Sequence, residues 1–218
     1  MEEFYPVPDE ALKKRRFIEY KSNFIDPLFP QDKSIKIADL GAGYGLFLDA
    51  CKRQGFTNLE GVEIIPKFAE YAEKELGLKN ISRSDLFVYL ESKSDNCFDI
   101  ITAFNIIEHI KKEKVQDLLN LINRKIKSGG MFIMEVPNGD SPLGVHTYFT
   151  DITHEFAFSR KLAIKLLILA GFGGIKVMYQ PMRRNPLIIL GRKILAKLVG
   201  SEYPLMFSGN IILVGYKK

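Results

Sequence analysis

Short β-branched apolar runs alternate with longer stretches in which apolar residues return every third or fourth position, and this alternation organises most of the chain. The runs predict seven strands, near Ile35–Leu40, Leu59–Val62, Asn80–Arg83, Asp99–Phe104, Met131–Val136, Ile175–Tyr179 and Ile211–Tyr216. Helical spacing falls between them, over Gly45–Gln54, Pro66–Leu76, a short stretch after Asp85, Lys112–Ile126 ending at Ser128-Gly129-Gly130, and Ser159–Ala170 ending at Gly171. Pro66 suits a first helical turn, where its missing N–H forfeits no bond, and glycine suits a left-handed helix end. A further helix, Asp9–Phe24, precedes the first strand. Strand and helix in regular alternation predict an α/β fold with a seven-stranded, mostly parallel sheet and helices on both faces, because each parallel crossover lays a helix on the sheet.

One connection breaks the rhythm. The 30 residues of 180–209, between the last two strands, are too long for a hairpin and must carry structure of their own. Within them Leu187–Val199 reads as a helix, with Leu187, Leu190, Ile194, Leu195 and Leu198 apolar against basic Arg192, Lys193 and Lys197. At 218 residues the whole chain fits one domain, 1–218, with a helical cap over 1–34 and a basic helical insertion over 180–209.

Charge sharpens the view of that insertion. From Phe156 to Ser201 there are nine Lys/Arg and no Asp or Glu; the remainder carries 22 basic and 26 acidic residues, so the excess of +5 is a property of the C-terminal quarter. Three readings compete for 180–209: a lid or homodimer contact, an interfacial helix touching an anionic membrane through 183–199, and a nucleic-acid patch. The last is disfavoured because no recognised RNA or DNA module accompanies it. Cys51 and Cys97 lack metal-ligand spacing and read as reduced core thiols, and the acidic start has no apolar run behind it. The expected location is cytoplasmic, with peripheral contact at the inner membrane face.

The chemistry starts at residue 39. Ile35–Leu40 runs straight into Gly41-Ala42-Gly43-Tyr44-Gly45 and then a helix, so backbone amides and a positive helix end face a concave turn. Glycine is needed because a Cβ would keep a ligand away from the backbone. Asp39 stands two residues before the first glycine, where a carboxylate suits a ligand with an amino group rather than a pyrophosphate. Glu63 ends the second strand, where an acid can accept from a ribose diol. Asp85 follows the third strand, placed for an adenine amino group or, alternatively, for a plain helix N-cap.

These segments carry a resemblance. Ile37–Gly45, Gly61-Val62-Glu63, Phe98–Asn105 and Lys127-Ser128-Gly129-Gly130 together resemble the successive motifs of class I S-adenosylmethionine (SAM)-dependent methyltransferases, over roughly residues 35–217. The resemblance implies a Rossmann-like class I methyltransferase fold, SAM as cofactor and S-adenosyl-L-homocysteine (SAH) as product. It implies that Asp39, Gly41, Ala42, Gly43 and Gly45 cradle the methionine part. Glu63 and Ile64 would hold the ribose side, Asp85 and Leu86 the adenine, and Asn105 the floor near the sulfonium.

With an activated methyl supplied, the protein must hold a nucleophile in line and, for a hydroxyl, take its proton. Glu108 and His109 lie just past the fourth strand, and His154 lies on the loop entering the last helix, with His146 in the same long loop. Glu108, His109 and His154 are expected to converge on the acceptor hydroxyl as base and orienter, or around one divalent metal. Methyltransferases of small-RNA 3′ ends, and in part the ubiquinone type, are similar in coupling Glu-His to such a metal. A full small-RNA-type site has a second Glu where this chain has Asn105, so no metal ligand is assigned. A second resemblance, over about 30 residues from Asp151-Ile152-Thr153-His154-Glu155 through Phe158-Ser159 to Ala170-Gly171-Phe172, is to methyltransferases of glycan, lipopolysaccharide and O-antigen assembly. It implies a glycan acceptor, with a small-molecule or quinone-type acceptor and a non-catalytic SAM-binding protein as the alternatives.

Overall fold

The computed structural model describes residues 6–179 and 186–218, so Arg183 and Arg184 of the basic insertion lie outside the described residues. Its elements are α1 (Glu10–Tyr20), α2 (Asp26–Leu28), β1 (Lys36–Leu40), α3 (Leu46–Arg53), β2 (Asn58–Val62), α4 (Pro66–Lys74), β3 (Ile81–Ser82), α5 (Leu86–Glu91) and β4 (Phe98–Phe104). They continue with α6 (Val115–Lys125), β5 (Ile126–Pro137), α7 (Pro142–Phe149), α8 (Arg160–Leu169), β6 (Phe172–Tyr179), α9 (Pro186–Leu198) and β7 (Asn210–Lys217). The strands form one seven-stranded sheet in the order β3-β2-β1-β4-β5-β7-β6. β1 pairs in parallel with β2 and β4, and β2 with β3, whereas β6 and β7 are antiparallel. The expected α/β class with its mostly parallel sheet is what the chain adopts.

Residues group into two compact units, Met1–Ala103 with Arg124–Met131, and Phe104–Asn123 with Phe132–Lys218. In the first, Ile37, Ala38 and Leu40 of β1 are fully buried beside Phe47, Leu48, Phe56, Phe98 and Ile100. Burying each large side chain stabilises the fold by about 2 kcal/mol. A strand buried on both faces is what a central parallel strand requires. It also makes Asp39 a charged residue in an apolar layer. In the second unit the core is built from Phe132, Ile133, Phe158, Phe172, Leu213 and Val214, with the rings of Phe132 and Phe172 stacked at 5.7 Å.

Several boundaries depart from the sequence reading. The opening α-helix is capped by Asp9, whose carboxylate accepts from the Leu12 amide at 2.7 Å, but it stops at Tyr20 and widens into a π-helical turn over Lys21–Ile25. The wider turn brings both Phe24 and Ile25 to the buried side. The helix expected to run to Ile126 stops at Lys125, and β5 starts at once rather than at Met131. Lys125 explains the early switch: its side chain is buried, with Nζ donating to Lys93 O at 2.7 Å and Asp95 Oδ1 at 2.6 Å, while its carbonyl accepts from the Cys97 amide. With its carbonyl accepting from the Cys97 amide, Lys125 closes the helix and the chain continues as a strand. The third strand shrinks from Asn80–Arg83 to Ile81–Ser82.

The expected long loop after the fifth strand is also wrong, because it contains α7. Pro142, Gly144, Val145 and Thr147 are poor helix formers and hid it. Ser141 caps it, its hydroxyl accepting from the Leu143 amide at 3.2 Å, and Pro142 occupies the first turn. His146 is therefore an exposed helix residue.

Candidate functional site

In the first unit the turn after β1 has the geometry expected of it. Gly41, Gly43 and Gly45 all take left-handed φ, at 68°, 54° and 77°, which a side chain would resist. The turn is pinned by Ala42 N–H to Val62 O (2.9 Å) and Gly45 N–H to Ala42 O (2.8 Å). The space where a Gly43 Cβ would project is open. Glu63 is buried at the end of β2 and joined to this turn: Oε2 accepts from the Gly43 amide at 2.8 Å and Oε1 from the Ile65 amide at 2.8 Å. Each oxygen keeps a second lone pair, so the carboxylate is fixed in orientation and still able to accept two hydroxyls. Beside it Ile64 stays 65% exposed, an apolar surface next to a polar grip.

Asp39 is almost fully buried, and its one described hydrogen bond comes from Thr102 Oγ1 at 2.7 Å, across the β1–β4 pair. Burial pushes its carboxyl up to about 7, the nearby Glu63 adds to the rise and the Thr102 bond opposes it. Asp85 is exposed and caps α5, with Oδ1 accepting from the Phe87 amide at 2.8 Å and the Val88 amide at 3.4 Å. The plain N-cap reading is thus fulfilled, and its second oxygen takes no part in the cap. Leu86, next in line, is buried. The open glycine turn, the oriented Glu63 and the exposed Ile64 fit an adenosyl ligand bearing an amino group.

The ionised form of Asp39 is the one that would attract such an amino group. Affinity for SAH is therefore expected to rise about tenfold between pH 6 and pH 8 in wild-type protein, since the carboxyl loses its proton through about 7. Asp39→Asn should bind more weakly and with a flat profile. Calorimetric titrations across this range that show no difference in slope would contradict it.

In the second unit, Asn105 follows β4 with a left-handed φ of 51°, uncommon for any residue but glycine. Its amide donates to Glu135 O at 2.9 Å and its Oδ1 accepts from Asn210 Nδ2 at 2.9 Å, so strand β5 and the start of β7 hold it. Asn210 also donates to Glu135 Oε1 at 2.7 Å. Past Asn105 the chain makes a one-turn 3-10 segment, Ile107–His109.

Glu108, His109 and His154 do converge, with one ligand-type atom from each lying within 4.8 Å of the others. The imidazole rings are 4.7 Å apart. Their tautomers follow from their neighbours. His154 Nδ1 lies 2.7 Å from the Tyr148 carbonyl, which can only accept, so Nδ1 carries the proton and Nε2 the lone pair. Thr153 has a single hydroxyl proton and donates it to Asp151 Oδ1 at 2.6 Å. His109 Nδ1, 2.8 Å from that hydroxyl oxygen, must then be its donor, and His109 also keeps its lone pair on Nε2. Burial, and then the neighbouring His154, hold the His109 pKa below its usual value, so the ring is neutral near pH 7.

Glu108 is the odd member. It is fully buried and neither carboxyl oxygen has a hydrogen-bond partner, while its backbone carbonyl accepts from the Glu155 amide at 2.8 Å. Burial, opposed by the residue's own backbone amide and reinforced by Glu135 and Asp151, pushes its carboxyl up to about 8. A buried unpaired carboxyl is destabilising and calls for a functional explanation. Two accepting imidazole nitrogens and an unpaired acid form a donor set that fits one divalent cation, which would supply Lewis acidity, or a proton-handling trio without one.

His146, by contrast, stands exposed on α7 and does not belong to the cluster. Sequence reasoning assigned no role to Asp151, Thr153 or Tyr148, although they fix both rings. Asp151 and Thr153 stood in the segment containing His154 and could have been suspected from it. Tyr148, whose ring stacks on His154 at 5.4 Å, left no signal in an unrecognised helix.

A family model described as a methyltransferase domain matches residues 12–165. An uncharacterized protein of Methanocaldococcus jannaschii is 27% identical over 176 residues, covering 75% of this chain and 69% of that one. The ubiquinone biosynthesis O-methyltransferase of Rickettsia felis is 30% identical over 125 residues, covering 56% of this chain; the chain spans about half of that relative, 49%. Among solved structures, a SAM-dependent methyltransferase from Archaeoglobus fulgidus superposes with a TM-score of 0.73 at 23% identity, covering 99% of this chain and 97% of its own, a likeness of fold.

Proposed function

This chain belongs to the methyltransferase-domain family and is a SAM-dependent enzyme, and from that premise we propose that it methylates a hydroxyl, on a sugar of a polysaccharide or lipid-linked glycan precursor. When bound, SAM supplies a methyl group activated on a sulfonium. Two imidazoles whose Nδ1 positions are committed as donors support the hydroxyl reading, because Nε2 is left to accept and a sugar hydroxyl needs its proton removed as its oxygen attacks, whereas an amine nucleophile attacks through its own lone pair. One Nε2 takes that proton and the other orients the acceptor oxygen, with Glu108 beside them. If a cation sits in the donor set, Glu108, His109 and His154 hold it, and the acceptor oxygen is acidified there instead.

The glycan assignment is supported by the Asp151–Glu155 segment, which carries His154 and whose Asp151 and Thr153 here position His109. The similarity to ubiquinone biosynthesis O-methyltransferases favours a second reading, a phenolic small-molecule acceptor. His109→Ala is expected to reduce methyl transfer at least about 100-fold with SAH affinity retained. Assays with labelled SAM against glycan and phenolic acceptors, before and after chelation, test all three elements. Retained turnover in His109→Ala would retire the cluster, a phenol-only enzyme the glycan, and unchanged turnover after chelation the cation.

A further inference from the structure

Helix α9 presents to solvent the residues that a soluble helix normally buries. Leu187, Leu190, Ile194, Leu195, Leu198 and Val199 are 46–78% exposed, and Ala196 is the helix's one buried residue. Leu187, Leu190, Ile194 and Leu198 recur at three- and four-residue spacing, which places them in one stripe, and Ala196 projects from the opposite side. The apolar face thus points away from the protein. Lys197 borders the stripe with Lys193 one step further round, while Arg192 lies on the half-buried side near Ala196.

The helix is held in this orientation from beneath. The Arg192 guanidinium lies 5.5 Å from the centre of the Phe207 ring and Lys193 Nζ lies 5.8 Å from that of Tyr203. Glu202, the first acid after the helix, pairs with Arg160 at 2.6 Å. Residues 186 to 201 contain no Asp or Glu.

We propose that α9 is an interfacial anchor that lies on a bilayer surface carrying anionic headgroups, its leucines and isoleucines in the acyl boundary and its lysines among the phosphates. Charge decides the occupant. A second copy of the chain would bring two cationic helices together, and a nucleic acid would leave the apolar stripe in water between its phosphate contacts. Among the described residues no helix is long and apolar enough to cross a membrane, so contact is at the surface. The inference is independent of the acceptor and stands or falls separately from the glycan reading.

Flotation of the full chain with vesicles of phosphatidylcholine alone, or mixed with phosphatidylglycerol, tests it. Wild-type protein is expected to float with the anionic vesicles and to be released by salt. Lys193→Glu with Lys197→Glu should weaken binding by about 30-fold or more, and Leu190→Gln with Ile194→Gln should abolish it. Retained SAH binding shows that each variant is folded. Wild-type protein indifferent to lipid charge, or variants that float as well as wild type, would overturn the anchor. So would a dimer in sedimentation equilibrium that the Leu190/Ile194 variant dissociates while vesicles are ignored.

Discussion

Glu108→Gln is expected to lower the turnover of methyl transfer by at least about 100-fold, with SAH affinity and melting temperature close to those of wild type. Glutamine keeps the shape, the burial and the polar demand of the side chain, so the packing of Ile107 and the backbone bonds from Glu155 and Phe156 to position 108 should persist. What it removes is the ability to hold negative charge beside the two imidazoles, whether that charge binds a cation or supports a ring that has taken a proton. The substitution thereby separates chemistry from architecture. A variant with wild-type turnover would make Glu108 a packing residue and leave the histidines to work alone.

Gly144→Ala is expected to destabilise the protein by about 3 kcal/mol or more, lowering the melting temperature by roughly 10 °C. The direction is opposite to the ordinary one, since alanine in a helix normally gains about 1 kcal/mol over glycine. Here the added Cβ would stand 2.1 Å from Asn138 O and 2.6 Å from Asn138 N, both backbone atoms that cannot rotate away. Asn138 cannot retreat easily either: it is fully buried, its amide donates to Gly209 O at 2.9 Å, and Nδ2 donates to Leu205 O at 2.8 Å and Ser208 O at 3.0 Å. If α7 shifts instead, the Tyr148 carbonyl moves off His154, so activity should fall further than stability alone explains. Thermal unfolding followed by circular dichroism decides it, and a melting temperature at or above that of wild type would show that the close approach relaxes without cost.

The parts of this molecule that sequence made legible are those whose physics is local. A strand, three glycines and a helix start within a dozen residues of one another, and Glu63 reaches back only to Gly43, so pattern and contact coincide. The seven strands were visible for the same reason, each an apolar run with turn residues at its ends. Where tertiary contacts override local preference, the reading failed. Lys125 and the residues after it are drawn into pairing by Lys93, Asp95 and Cys97, some thirty positions earlier, and α7 forms despite proline, glycine and β-branched residues because Ser141 and Asn138 hold its start. The acid–histidine trio is legible from residue type and from its places after the fourth strand and before the last helix. Its tautomers became readable only once Thr153 was seen against His109, 44 residues away, a juxtaposition that no periodicity encodes.

The unsatisfied acid at position 108 also says something about how this protein can evolve. An apolar side chain of similar size would relieve a buried, unpaired carboxyl and make the fold more robust to heat. A search that rewarded heat resistance alone would therefore erase the group that turnover needs. Descendants of this sequence that gain heat resistance and keep working must find their extra stability elsewhere, in the apolar layers around Phe132 and Phe172 or in the ion pairs along the first unit.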